Sequence, residues 1–173
     1  AFSKAYTALG NEKYRDAAVQ AVNFLLENMA KGEEKRLFHT WKDDRLQYHG
    51  VLDDYAFAIE ALLDIWQITF NSTYLSAAEK YMQQVLSYFH DPDSGLFFFT
   101  ASDQTDVILR KKDLYDSATP SGNSTLVHAL QRLGILLDRQ EWREMAAQML
   151  LNMQSTIQQH PLSFARWAIA IMN

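Results

Sequence analysis

Two adjacent carboxylates, Asp53 and Asp54, begin an otherwise apolar stretch that covers residues 51–70. A carboxylate at the end of a helix that faces a cavity can act as a general acid, a general base or a ligand for sugar hydroxyls. His49 lies just upstream, and a histidine beside a carboxylate suits proton transfer. Helix capping is the alternative for both carboxylates, because acidic residues in a first turn satisfy free N–H groups and the helix dipole. A purely structural role is the alternative for His49.

A second polar cluster covers residues 113–124 and contains Asp116, a further candidate catalytic carboxylate. Thr119 followed by Pro120 predicts the start of a helix here, since proline is well tolerated at the first helical position. Gly122 would then lie in the first turn, where it lowers helix stability. A glycine at this place indicates close approach by another backbone or by a ligand. The catalytic candidates are therefore Asp53, Asp54, Asp116 and His49.

Side chains near the two clusters are candidates for binding a substrate. Trp41 is predicted on the same face as the carboxylates and can stack on a sugar ring, although a tryptophan is more often part of a core. Asn123 can donate and accept hydrogen bonds at once, which suits a ligand rich in hydroxyl groups. The predicted substrate-binding residues are Trp41, Tyr55, Ser121, Gly122 and Asn123. For the last three, a capped and tightly packed helix start is the alternative.

The sequence lacks the residues that several other kinds of site require. The sequence has no cysteine, which excludes disulfides, thiolate metal sites and cysteine nucleophiles from this segment. Its five histidines show no metal-ligand spacing, and it has no glycine-rich phosphate loop, so no metal and no cofactor are predicted. A net charge of −5 argues against nucleic-acid and membrane partners. No apolar stretch reaches the roughly 18–20 residues that span a bilayer. We expect a cytoplasmic protein.

An internal repeat predicts the elements that position these residues. Three segments that begin at Asn11, Asn71 and Arg139 each place an aromatic residue three positions later, at the start of a long helical pattern. The repeat of roughly 60 to 70 residues is longer than the tetratricopeptide or HEAT unit. Apolar periodicity predicts helices over residues 1–9, 12–29, 51–70, 74–89, 125–137, 141–157 and 162–172.

Short and long connections alternate between these helices. The short connections, at Gly10 and at residues 71–72 and 138–139, predict antiparallel helical hairpins. In the second long connection, residues 96–100 and 107–110 are typical of two strands around a polar turn. Residues 37–41 and 45–48 are a weaker copy of this pattern in the first long connection.

Hairpins joined in this alternating way predict an all-α fold, an incomplete (α/α)6 toroid with short β-hairpin insertions. The more apolar helices, at 51–70, 121–137 and 161–172, form its inner ring. Each long connection leads to the N-terminus of an inner helix, so the long loops gather on one face of the ring. Loops held by a rigid scaffold commonly carry binding and catalytic residues.

The two polar clusters together resemble the C-terminal region of the YyaL family, the thioredoxin-domain-containing proteins related to spermatogenesis-associated protein 20. The resemblance runs from about residue 6 to residue 172. It is carried by Leu52–Phe57, Ala61–Trp66, Thr69–Phe70, Gly95–Thr100 and Asp116–Ser124, with Ser117 where the family commonly has glycine. It implies an (α/α)6 toroid similar to six-hairpin glycosidases and N-acylglucosamine 2-epimerases, joined to an N-terminal thioredoxin-like domain. No catalytic role is implied for any residue.

The resemblance implies that residues 1–173 are the C-terminal part of the toroid, truncated on its N-terminal side, and that the thioredoxin-like domain is absent. We expect a carbohydrate-active domain, of glycoside hydrolase or epimerase type, with its site at the N-termini of the inner helices and a small sugar-like ligand. The alternative is a non-catalytic scaffold for an attached thioredoxin-like domain. An incomplete ring leaves apolar edges, so we also expect self-association through the open edge.

Overall fold

A computed structural model describes residues 1–105 and 107–172. The helices within these residues are α1 (Phe2–Leu9), α2 (Glu12–Asn28), α3 (Leu52–Thr69), α4 (Ser72–Tyr88), α5 (Gly122–Leu136), α6 (Gln140–Gln159) and α7 (Ala165–Ile171). A short 3-10 turn at Pro161–Ser163 precedes α7. The predicted helices are confirmed with small shifts at their ends. The largest are at α5, which begins three residues earlier than predicted, and at α7, which begins after the 3-10 turn.

The repeated segments begin the outer helix of each hairpin. Asn11 and Asn71 are the N-caps of α2 and α4, and each side chain accepts a hydrogen bond from the N–H two residues later, at 3.1 and 3.0 Å. This contact satisfies one of the free N–H groups of the first turn. Arg139, at the equivalent position before α6, makes no side-chain cap. Gly10 closes α1 with a φ of 65°, a left-handed conformation that glycine adopts without strain.

The seven described helices form an arc of two layers. α1, α3, α5 and α7 pack side by side as the inner layer, and α2, α4 and α6 cover them from outside. The core lies between the layers, and α3 contributes eight buried apolar residues to it. α5 is buried along its first nine residues. An inner helix is therefore apolar over most of its circumference, because it contacts both neighbouring inner helices and the outer layer.

The first long connection contains β1 (Ala30–Lys31), β2 (Arg36–Lys42) and β3 (Arg45–His49), which form an antiparallel sheet in that order. The predicted hairpin at 37–41 and 45–48 is confirmed. The second connection contains only a two-residue ladder within its described part, β4 (His90–Asp91) with β5 (Leu96–Phe97).

The predicted strand pair of residues 96–100 and 107–110 is wrong. Leu96 and Phe97 pair backward with β4 and are buried in the core. Ile108 and Leu109, in contrast, are almost fully exposed and belong to no strand. Apolar composition alone suggested a strand there, but these side chains have no sheet to pack against. Within the described residues, no helix is long and apolar enough to cross a membrane.

Candidate functional site

The N-termini of α3 and α5 touch at Asp53 and Gly122. A Cβ atom on Gly122 would lie 2.4 Å from Asp53 Oδ1 and 3.1 Å from Leu52 Cγ, so a side chain at this position would force the Asp53 side chain to move. The predicted close approach at Gly122 is therefore confirmed, and the approaching group is another inner helix. The contact brings the two sequence clusters to one face of the arc.

Asp53 does not cap its own helix. Its Oδ1 atom is buried and has no hydrogen-bond partner among the described residues. Burial raises the pKa of the Asp53 carboxyl above its usual range. The Gly122 N–H opposes the rise, and the negative charges of Asp113 and Asp54 add to it. A carboxyl group with a raised pKa is suited to donating a proton.

Asp54 is the capping residue of α3. Its Oδ2 atom accepts a hydrogen bond from the Val51 N–H at 2.8 Å, across the first turn. The same oxygen lies 2.8 Å from His39 Nδ1. The capping alternative is thus correct for Asp54 and not for Asp53. Through this contact Asp54 also orients the imidazole of His39. The ring nitrogen that does not contact Asp54 is Nε2.

The histidine next to the carboxylates is His39 and not His49, the predicted one. His49 pairs with Phe38 across the β2–β3 ladder, and their ring centroids lie 5.0 Å apart. Side chains alternate between the faces of a strand, so His39 points to the side opposite Phe38 and His49. The position of His49 beside Asp53 in the sequence was misleading, because the strand register separates them. The alternation of side chains between the two faces of β2 could have identified His39 from the sequence.

Trp41 lies on the same face of β2 as His39, two residues further along the strand. Its indole is 36% exposed and packs edge-on against Phe24 of α2, with 5.1 Å between ring centroids. Trp41 and His39 therefore lie on one face of β2, where Trp41 contacts α2 and His39 contacts Asp54 of α3. A ring held in this way can stack on an apolar sugar face without losing much side-chain freedom.

Asp116 has its carboxylate oxygens engaged by the protein. Oδ1 accepts hydrogen bonds from the Ser121 N–H at 2.9 Å and the Ser124 hydroxyl at 2.7 Å. Oδ2 accepts from the Arg166 N–H at 2.9 Å. Asp116 therefore ties the N-termini of α5 and α7 together, which is the work of a positioning residue, and its predicted catalytic role stays a prediction.

Three predicted substrate-binding residues are also part of the packing. Asn123 is fully buried, where it bonds both backbone groups of Phe97 at 2.9 Å. Ser121 is the N-cap of α5 and accepts from the Ser124 N–H at 3.1 Å, so the predicted cap at Thr119 is wrong. Tyr55 is fully buried, and its hydroxyl accepts from the Leu37 N–H. With Gly122, these residues hold the site in place and do not line it.

The inner face of the arc carries a stripe of half-buried polar residues on α3 that the sequence analysis missed. Glu60 forms ion pairs with Lys4 of α1, at 3.9 Å, and with Arg166 of α7. Asp64 forms an ion pair with Arg132 of α5 at 3.0 Å. The sequence contained the signal for this stripe, because residues at helical spacing share one face of α3: Asp53, Phe57, Glu60, Asp64 and Gln67. Among the described residues, no group of three acidic or histidine side chains is placed to hold a metal ion.

Comparison with known sequences gives relatives that are much longer than this chain. The chain is 28% identical to spermatogenesis-associated protein 20 of Rattus norvegicus, over 98% of this chain and 23% of that protein. It is also 28% identical to an uncharacterised protein of Caenorhabditis elegans, over 97% of this chain and 24% of that protein. The chain therefore spans about a quarter of the length of these curated relatives. No protein-family model matches it.

Comparison with solved structures gives toroids. Cellobiose 2-epimerase from Spirochaeta thermophila matches 90% of this chain and 41% of its own length, with a TM-score of 0.71 and 19% identity. A D-mannose isomerase matches 88% of this chain and 37% of its own length, with a TM-score of 0.68 and 18% identity. The predicted (α/α)6 toroid fold is confirmed, and the resemblance in sequence is confirmed as well: the homologues of this chain are spermatogenesis-associated protein 20 and related proteins of the YyaL-like family.

Proposed function

We propose that this chain forms the sugar-binding arc of a carbohydrate-active toroid of hydrolase or epimerase type. The observation that carries the proposal is the arrangement of His39, Asp54 and Asp53 around the N-terminus of α3. A histidine oriented by Asp54 and a carboxyl group of raised pKa lie at the start of α3, and a partly exposed tryptophan lies two residues from that histidine on the same face of β2. The solved toroids of similar fold include enzymes named for mannose and cellobiose, which is a likeness of fold.

Each residue has a role in this proposal. Asp53 donates a proton, because burial keeps its carboxyl group protonated to higher pH than an exposed aspartate. His39 accepts a proton, and Asp54 orients its ring and stabilises the imidazolium that forms. Trp41 contacts the apolar face of the sugar ring. General acid–base groups of this kind typically contribute about 10²–10⁴-fold to a rate.

The chain contains a matched pair of histidines for testing this proposal. His39 and His49 are both exposed and both lie on the β2–β3 hairpin, but only His39 contacts Asp54. Calorimetry with a panel of monosaccharides and disaccharides should therefore show binding that His39→Gln and Trp41→Ala weaken and His49→Gln leaves unchanged. Failure of the unaltered protein to bind any sugar at millimolar concentration would contradict the proposal.

A non-catalytic scaffold is the second candidate, and one observation favours it. The residues most specific to the family resemblance, including Asp116, Ser121 and Asn123, are used to join inner helices and the second long connection. In this case Asp54→Asn and Asp116→Asn lower stability or partner binding, and no turnover exists to be lost. A substrate conversion that either substitution abolishes, while the variant remains folded, would exclude the scaffold.

A further inference from the structure

The inner helices carry few positive charges. Their only lysine and arginine residues are Lys4 on α1, Arg132 on α5 and Arg166 on α7. His128 on α5 adds none at neutral pH, because burial lowers its pKa and its Nε2 atom lies 3.0 Å from the Arg166 carbonyl. The positive charge available on this face is therefore that of three side chains.

Each of these three cations is paired with a carboxylate of α3. Lys4 and Arg166 contact Glu60 from opposite sides, and Arg132 contacts Asp64. Arg132 also donates to Gln67 at 3.3 Å. Glu60, Asp64, Arg132 and Arg166 are largely buried side chains, so solvent screens these pairs less than it screens surface pairs.

The carboxylates of the inner helices all come from α3, which contains Asp53, Asp54, Glu60 and Asp64 and no basic residue. Asp53 and Asp54 form no ion pair with lysine or arginine among the described residues. Several loop cations are also engaged elsewhere. Arg36 binds Asp103, and Lys112 binds Asp91. The end of the inner face that carries His39 and Asp54 therefore has no uncommitted cation on the inner helices beside it.

We propose that the sugar bound at this face is uncharged, and that uronates and sugar phosphates are rejected. This assignment rests on the proposed function and specifies its ligand class. The anionic group of a sugar loses its hydration shell when the sugar binds, and an arginine or lysine must replace those water contacts. Recognition of carboxylate or phosphate typically uses a free guanidinium group, whose N–H donors bind two oxygens at once. Here each guanidinium on the inner helices already holds a carboxylate, and an added anion would approach the negative charge of Asp54. Hydroxyl groups, in contrast, can donate to carboxylates without that cost.

Calorimetry with matched sugars tests the ligand class. The pairs are glucose with glucuronate, mannose with mannuronate and galactose with galacturonate, each differing only at C6, and glucose 6-phosphate is the dianionic probe. The neutral member that binds should do so at least tenfold more tightly than its uronate. The difference should shrink in high salt and in Asp54→Asn, which removes one negative charge. Asp138→Asn, at a 97% exposed carboxylate on the opposite face, is the control and should preserve it.

The possible outcomes distinguish a failure of the ligand class from a failure of the proposed function. A uronate or a phosphate that binds as tightly as its neutral counterpart overturns the ligand class and leaves sugar binding intact. Discrimination that Asp138→Asn weakens as much as Asp54→Asn also overturns it, because net charge alone would then explain the result. Absence of binding by every member removes the proposed function, and the ligand class with it.

Discussion

The carboxylate of Asp116 accepts the backbone N–H of Arg166, 50 residues further along the chain, at 2.9 Å. Its other oxygen accepts the N–H of Ser121, so one side chain fixes the starts of two neighbouring inner helices. Free N–H groups at a helix start attract a negative charge, and Asp116 serves two helices at once. The side chain of Arg166 then reaches Glu60 on α3. Asp116 therefore helps to set the geometry of the inner face without belonging to the proposed chemistry.

Asp116→Asn should lower the free energy of unfolding by about 1–3 kcal/mol, because it leaves a part-buried N–H without a charged acceptor. Urea denaturation measures the change. Asp44→Asn, at an exposed turn between β2 and β3, is the control and should stay within about 0.5 kcal/mol of the unaltered chain. Equal effects of the two substitutions would contradict the role given to Asp116.

Gly122→Ala should destabilise the chain by about 1–3 kcal/mol, although alanine is the better helix former. The reason is steric, since its Cβ would lie 2.4 Å from Asp53 Oδ1. The double substitution with Asp53→Ala should recover part of this loss, because it removes the clashing oxygen. Strictly additive effects in a double-mutant cycle would show that the two helix starts do not touch as described.

The raised pKa of Asp53 makes a prediction about pH. Since the folded state favours the protonated carboxyl, the contribution of Asp53 to stability is present below its unfolded-state pKa, near 3.8. It is lost as the pH rises through the folded-state pKa. Asp53→Asn removes this dependence, so its stability relative to the unaltered chain should increase from pH 3.5 to pH 7. Urea denaturation across that range measures the difference, and a difference that decreases with pH would contradict the burial of Asp53.

Self-association through the open edge remains a proposal. A groove of about 780 Å³ lies between α5, α6 and α7, and Ile135, Leu151 and Ile171 expose more than half of their surface in or beside it. We expect a second copy of the chain to cover this surface at high concentration. Light scattering should show dimers that Leu151→Lys disrupts and that Leu109→Lys, at an exposed apolar residue away from the groove, leaves intact. A monomer at millimolar concentration would contradict the proposal.

The sequence predicts the helices and the toroid well because burial imposes a regular period. α3 shows this most clearly, since its buried residues recur at helical spacing over 18 residues. The repeated Asn11 and Asn71 mark helix starts by local hydrogen bonds, which also depend only on neighbouring residues. The glycine at position 122 correctly indicates close approach, because a side chain there would force the Asp53 side chain to move.

The site was harder to predict because it depends on contacts between distant elements. His49 is nearer to Asp53 in sequence, but the β2–β3 register brings His39 to Asp54 instead. Asp116 is of a residue type that can serve as a catalytic carboxylate. Only the approach of α7 shows that its oxygens accept hydrogen bonds from the protein. The exposed Ile108 and Leu109 have strand-like composition without a partner strand. None of these outcomes follows from local pattern.

Binding of a sugar at the N-termini of the inner helices is tested most directly by a ¹H–¹⁵N NMR titration of the chain with neutral monosaccharides and disaccharides. We expect saturable shifts at the amides of His39, Trp41, Asp53 and Gly122, with smaller effects elsewhere. Shifts confined to other parts of the chain, or none at millimolar sugar, would contradict it.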